Sequence, residues 1–354
     1  MKAAFLLLLA AVGAYGQSCY GACGIFDTNL ECQCNVACTD YGDCCEDYTE
    51  ICMSCADRCG EEYLDTKPCQ CNEGCPDYED CCSDFEELCG GSDVVTDDEL
   101  RALTEELFAA EVNAVGDQLT IDLQGEGTSG DLASGPLFTS VPESALSGPT
   151  ISLLRQVQDN YIPQVTIPEE EDAAEIAEQD ALLDAMMNTQ IMKLSESFLL
   201  DKGLLTGSLR DKLDEIWFTL YTRSGGPVGS SGFEHSFVGE LKNGEVSGFH
   251  NWVNFYKEEK EGNLNYEGWS KVINLGTKVQ LIGDHFEWMS EPKKIGSMFI
   301  GTSPELEMAT YTVCFLARPD SLCPVQMNGQ KFQVQTWTLS SNGKILVGSA
   351  YPEV

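Results

Sequence analysis

Apolar positions recur at helical spacing from about residue 96 to about residue 220, and beyond about residue 230 they collapse into short strand-like runs. Thr96-Asp97-Asp98-Glu99 has the spacing of a capping box, and Leu100, Leu103 and Leu107 follow on one helical face. Thr166 and Glu169 bracket Pro168 in the same way, ahead of a long run through Ile176, Leu183, Met187, Ile191, Leu194 and Phe198 that Gly203 should end. A third helix is expected from Ser208 through Leu209, Leu213, Ile216 and Trp217 to Leu220. The strand-like runs are Phe237 to Leu241, Val279 to Gly283, Gly296 to Gly301, Ala309 to Ala317, Phe332 to Thr338 and Ile345 to Ala350. Helices early and strands late predict an α+β domain. The Gly- and Ser-rich stretch from Gly116 to Pro149 is read as ordered, because Leu119 to Leu123 has a strand pattern and Pro136-Leu137-Phe138 is an apolar anchor.

Cysteine usage divides the chain before residue 95. Of 18 cysteines, all but Cys314 and Cys323 lie between Cys19 and Cys89. Cys19, Cys23, Cys32, Cys34, Cys38, Cys44, Cys45 and Cys52 recur as Cys55, Cys59, Cys69, Cys71, Cys75, Cys81, Cys82 and Cys89, so one insertion separates two copies of a single module. Modules this small need covalent staples, and disulfides are expected over a zinc cluster because no histidine lies nearby. Eight cysteines allow 105 pairings, so the connectivity stays open. Cys314 and Cys323 are expected to pair across a hairpin. With its adjacent cysteines in Tyr41-Gly42-Asp43-Cys44-Cys45 and Tyr78-Glu79-Asp80-Cys81-Cys82, the module resembles the somatomedin B domain. That resemblance implies an extracellular protein partner, of unknown identity, and no chemistry.

The chain opens with Met1-Lys2, an apolar run from Ala3 to Val12 and the small residues of Ala14-Tyr15-Gly16, which reads as a secretory signal. An apolar run of about ten residues is too short for a bilayer, and no later stretch qualifies, so no membrane span is expected. Secretion suits the disulfides. The net charge of −38 excludes a general nucleic-acid coat. Its distribution leaves room for local contact with a polyanion, since residues 205–354 hold 17 acidic against 13 basic side chains, and residues 1–204 hold 41 against 7.

Only three histidines are present, His235, His250 and His285. His235 lies in Gly232-Phe233-Glu234-His235-Ser236-Phe237-Val238-Gly239-Glu240, where Glu234 and Glu240 are near enough in sequence to orient an imidazole. His250 is expected in the first turn of a helix running to Gly262, where the dipole would keep it neutral and competent as a base. Two histidines in unlike surroundings suit RNA transesterification, one taking the 2′-hydroxyl proton and one protonating the departing 5′-oxygen. A cation must then meet the charge on the phosphorane, and Lys293 and Lys294 are available.

At this point the blocks Gly232 to Glu240, Ser247 to Tyr256, Ile295 to Glu307 and Val347 to Pro352 resemble the EndoU family of poly(U)-specific endoribonucleases. The resemblance implies a catalytic set of His235, His250 and Lys293, supported by Glu234, Glu240, Ser349 and Tyr351, with Ser297 contacting uracil. It further implies cleavage of single-stranded RNA at uridines to 2′,3′-cyclic phosphate and 5′-hydroxyl ends, and Mn²⁺ dependence with no ligands assigned. His250 is preferred as base and His235 as acid, and His285 matches no family position. The expected organisation is a signal peptide at 1–16, somatomedin B-like modules at 17–53 and 54–91, and an EndoU-like domain at 95–354. The rival reading is an extracellular adhesion protein whose EndoU-like domain is an inactive scaffold. A protease is set aside because no serine, cysteine or zincin motif is present.

Overall fold

The computed structural model describes residues 18–354 apart from 20–21, 29–31, 57, 59–60, 62, 65, 73, 79, 86–94 and 224. The leader expected at 1–16, Cys59 and Cys89 therefore lie outside the described residues. Two compact units divide the chain, Met1–Asp93 and Val94–Val354.

In the first unit the repeat extends from spacing to connectivity. Cys19–Cys34, Cys32–Cys45 and Cys38–Cys44 are mirrored by Cys55–Cys71, Cys69–Cys82 and Cys75–Cys81, and Cys23–Cys52 completes the first knot. The adjacent cysteines of each copy thus staple different strands of chain. Among the described residues these knots carry the short helices α1 (Cys38–Tyr41), α2 (Tyr48–Cys52) and α3 (Cys75–Tyr78). Buried sulfur with Tyr48 or Phe85 forms each core, in place of the apolar side chains that so short a chain cannot supply. Equivalent glutamines brace the long loops: Gln33 Nε2 donates to Asp27 O at 2.8 Å, and Gln70 Nε2 to Leu64 O at 2.7 Å.

The second unit is α+β. Helix α4 (Asp97–Ala109) carries the expected capping box between Thr96 and Glu99, and it buries Leu100, Leu103 and Leu107. Strands β1 (Thr120–Ile121) and β2 (Phe138–Ser140) pair within the Gly-rich stretch, which is held down because the Glu259 carboxylate accepts from Leu137 N at 2.6 Å and Phe138 N at 2.9 Å. Helices α5 (Glu143–Leu146), α6 (Pro149–Val157), α7 (Ala173–Met187), α8 (Gln190–Asp201) and α9 (Leu209–Leu213) follow.

Several helical expectations need correcting. The cap before α7 is Asp172 with Glu175, because Glu169 instead accepts from Ile162 N at 2.6 Å and is unavailable to Thr166. The long helical run is two helices, broken where Thr189 caps α8. The third helix gives way after Leu213 to a π-helical turn over Asp214–Phe218.

Strands β3 (Glu240–Lys242) and β4 (Glu245–Ser247) form a hairpin, followed by α10 (Trp252–Glu261). An antiparallel sheet of β5 (Leu264–Asn274), β6 (Gln280–Trp288) and β7 (Glu291–Ile300) comes next, in the order β5-β6-β7. Helix α11 (Pro304–Ala317) leads to β8 (Leu322–Met327), β9 (Gln330–Ser341) and β10 (Lys344–Glu353), paired in the order β10-β9-β8.

Two of the expected strands are helical. Glu234–Val238 makes a π-helical turn, leaving only Glu240 onward extended. Ala309 to Ala317 lies within α11, which is buried from Pro304 through Phe315 and so has no polar face to print a 3.6-residue period. Its start is nonetheless marked by Ser303 as cap and Pro304 as first residue. In consequence Cys314–Cys323 ties α11 to β8 and does not bridge a hairpin. For a closed loop with a separation of 9 residues, replacing both cysteines by alanine is expected to cost roughly 2–3 kcal/mol, read from urea unfolding of the oxidised proteins.

Candidate active site

Two backbone hydrogen bonds bring the histidine segments together: Phe249 N donates to His235 O at 2.8 Å and His250 N to Ser236 O at 2.9 Å. Gly248 makes this approach feasible, with φ of +68°, and a Cβ there would lie 1.8 Å from His235 O. Phe249 itself sits at φ +69°, a conformation bulky residues rarely adopt, held by burial of its ring against Trp288 and Phe286.

His235 and His250 line one cavity of about 640 Å³ together with Lys293, Ser297, Ser349 and Tyr351. The strands supply the last four: Lys293 and Ser297 lie on β7, Ser349 and Tyr351 on β10. Arg223, paired with Glu240, adds a second cationic side chain, and Glu353 is the one acidic side chain among the described lining residues. In a chain of net charge −38, this cavity is thus lined by two cationic side chains and one acidic one.

Each imidazole spends Nδ1 on a fixed partner. His235 Nδ1 lies 2.6 Å from Glu240 Oε2, and that carboxylate also accepts from Arg223 Nε and from Ser230 Oγ. Glu240 is fully buried, yet His235 and Arg223 hold its pKa below the usual carboxylate value. Burial, reinforced by Arg223, lowers His235 to about 4 against the opposing pull of Glu240. His235 is therefore neutral near pH 7, with its proton on Nδ1 and a lone pair on Nε2.

His250 Nδ1 donates to Ser297 O at 2.8 Å, since a carbonyl can only accept, and its ring stacks on Tyr351 at 4.9 Å and 16°. Its position differs from expectation. Asn251 caps α10 and Trp252 is the first helical residue, so His250 lies just outside the first turn. Its pKa is pushed well below the ordinary value by burial first and by Lys293 second, which replaces the helix-dipole account.

Lys293 Nζ donates to Gly248 O at 2.7 Å, and burial lowers the ammonium to about 8 against the pull of Asp284. Lys294 points elsewhere, being exposed and paired with Glu245. His285 donates Nε2–H to Gly130 O at 2.9 Å and plays no part in the cavity.

Glu234 departs from expectation. Fully buried, with neither carboxylate oxygen hydrogen-bonded, it is pushed up to about 10 by burial and then by Glu240 and Glu169, so it is a neutral acid. Glu240 alone orients His235. Neither glutamate suits Mn²⁺, for which no ligands are assigned, because Glu240 is engaged by His235, Arg223 and Ser230, and Glu234 is held neutral. Among the described residues, groups of three donors close enough to share an ion are Cys19, Cys34 and Cys45, and Cys55, Cys71 and Cys82, all sealed in disulfides. These side chains do not make a resident Mn²⁺ site.

Sequence reasoning missed Arg223, which lies 17 residues before Glu240 and has no local motif to mark it. It also missed Trp337, a half-exposed aromatic in the cavity wall.

Comparison with known proteins matches residues 99–352 to the family model of endoribonuclease XendoU, and residues 17–54 and 53–92 to that of the somatomedin B domain. The chain is 40% identical to a uridylate-specific endoribonuclease of Paralichthys olivaceus, covering 95% of this chain and 94% of the relative. Identity is 33% to the human uridylate-specific endoribonuclease, covering 94% and 77%. The solved structure of XendoU, described as a splicing independent snoRNA processing endoribonuclease, superposes with a TM-score of 0.61 at 36% identity, covering 72% of this chain and 95% of that one.

Proposed function

Because the chain belongs to the endoribonuclease XendoU family and carries two somatomedin B domains ahead of its ribonuclease domain, we propose that it is a secreted, uridylate-specific endoribonuclease that cleaves single-stranded RNA by transesterification. The observation that carries this reading is the pair of neutral imidazoles in one cavity with Lys293, each with Nδ1 engaged and Nε2 left for proton transfer. His250, beside a cation and bonded only to a carbonyl, is the group that stays neutral and takes the 2′-hydroxyl proton. The 2′-oxygen then attacks phosphorus, the P–O5′ bond breaks, and the products are a 2′,3′-cyclic phosphate and a 5′-hydroxyl.

His235 first takes a proton from solvent onto Nε2, giving an imidazolium that the Glu240 carboxylate stabilises, and delivers that proton to the 5′-oxygen as the P–O5′ bond breaks. Lys293 meets the charge on the phosphorane oxygens. Ser297 contacts uracil, and Ser349 and Tyr351 complete the wall that orients the nucleotide. Mn²⁺, expected from the family resemblance, is assigned to the RNA phosphates because, among the described residues, the groups of three donors are cysteines sealed in disulfides. The disulfide-dense first unit suits an oxidising compartment and an extracellular protein partner.

The test is incubation with an oligoribonucleotide containing one uridine, with and without Mn²⁺, beside its 2′-deoxyuridine counterpart. Cleavage 3′ of uridine with a cyclic phosphate by mass spectrometry, and none of the deoxy control, is the expected result. Cleavage of the deoxy control would sink the 2′-hydroxyl mechanism. An inert, folded protein would favour the adhesion-scaffold reading.

A further inference from the structure

Strand β7 departs from regular pairing beside the site. Asp284 pairs with Gly296 and Phe286 with Lys293, so two steps on β6 match three on β7. That one-residue bulge puts Lys293 and Gly296 on the same face, which is also the face of Asp284. Gly296 leaves a hollow there: a Cβ on it would lie 2.0 Å from Asp284 Oδ1. The carboxylate filling the hollow is 4% exposed, and its Oδ1 has no hydrogen-bond partner. A buried carboxylate with an unbonded oxygen is costly unless a charge faces it.

We propose that Asp284 is a positioning residue for the cleavage reaction, the counter-ion that keeps Lys293 protonated inside the cavity, with Gly296 making the space for it. The inference rests on the reading of Lys293 as the cation that meets the phosphorane. Few other groups compete. Tyr266 also feels Asp284, His235 and His250 feel Lys293, and Lys294 faces away to Glu245. Burial and Lys293 set Asp284 at about 7, and burial and Asp284 set Lys293 at about 8, so the pair is ionic between those values. Above about 8 the cation is lost, which steepens the alkaline limb of the rate profile.

The test is kcat/KM against pH for Asp284→Asn. Without the carboxylate the alkaline limb should move to lower pH by roughly one unit or more, so the loss widens with pH to about tenfold on that limb. On a Lys293→Arg background, whose guanidinium does not titrate, the fall above about 8 should be absent and Asp284→Asn should add no pH-dependent loss. Gly296→Ala, which pushes the carboxylate aside without removing it, should shift the limb in the same direction and serves if Asp284→Asn does not fold. Equal loss at every pH with an unmoved limb would reduce Asp284 to a structural residue. Undiminished cleavage by Lys293→Ala would instead overturn the reading of Lys293.

Discussion

Replacing His250 by alanine is expected to lower kcat for uridine cleavage by about 10²–10⁴-fold, the usual contribution of a positioned proton-transfer group. His235→Ala should fall in the same range, and the double variant should be little worse than the poorer single one, because the two nitrogens act within one displacement. The physical basis is the pair of locked tautomers. Ser297 O and Glu240 each hold Nδ1, so each truncation removes the one nitrogen able to accept or deliver the proton. Single-turnover cleavage of a one-uridine oligonucleotide, with circular dichroism confirming the fold, is the measurement. A loss below tenfold in either single variant would remove that histidine from the chemistry.

The second large effect is on stability. Arg223→Ala is expected to destabilise the second unit by about 3–5 kcal/mol at pH 7, the usual consequence of stripping a buried anion of its partner. Arg223 donates Nε to Ser230 Oγ at 2.8 Å and to Glu240, and Nη2 to Tyr221 OH at 2.7 Å and to Gly348 O. Its removal leaves Glu240 buried with a neutral histidine and a hydroxyl. In the variant the folded-state pKa of Glu240 then rises above its unfolded value. Such a group stabilises the fold below the unfolded pKa, and that contribution is lost as pH rises, so the deficit should be largest at pH 7 and shrink towards pH 4.5. Urea unfolding at the two pH values reads the difference. Adding Glu240→Gln to Arg223→Ala should recover much of the pH 7 loss by removing the orphaned charge. A deficit equal at both pH values would mean that lost packing, not the charge, dominates.

These two predictions draw on features that were unequally readable in the chain. His235 and His250 stand in recognisable local blocks, whereas Lys293 is told from its neighbour Lys294 by the family resemblance and not by residue type. Arg223 and Asp284 stand in no such block. Each acts on a neighbour that only strand pairing or loop closure brings near, Glu240 in one case and Lys293 in the other. Glu234 and Glu240 looked alike in sequence, six residues apart around the same histidine. Burial without a partner neutralises the first, and three partners keep the second ionised.

Secondary structure divides along the same line. The cap of α4 and its leucine stripe are local signals on a half-exposed helix, and they were legible. Helix α11 reads as a strand over Ala309 to Ala317 in the sequence, because a helix buried on every side shows no amphipathic period and its Thr310, Thr312 and Val313 favour strands.

By itself, the amino-acid sequence determined the two cysteine modules, the α+β character of the remaining chain and the set of residue types able to move protons on RNA, because each is written in composition, spacing or a short block. The tertiary structure decided which cysteines join, which carboxylate holds His235, why His250 is neutral although it precedes its helix, and which buried acid faces Lys293. Those outcomes depend on desolvation and on which groups are brought into contact, and neither exists until the chain has folded.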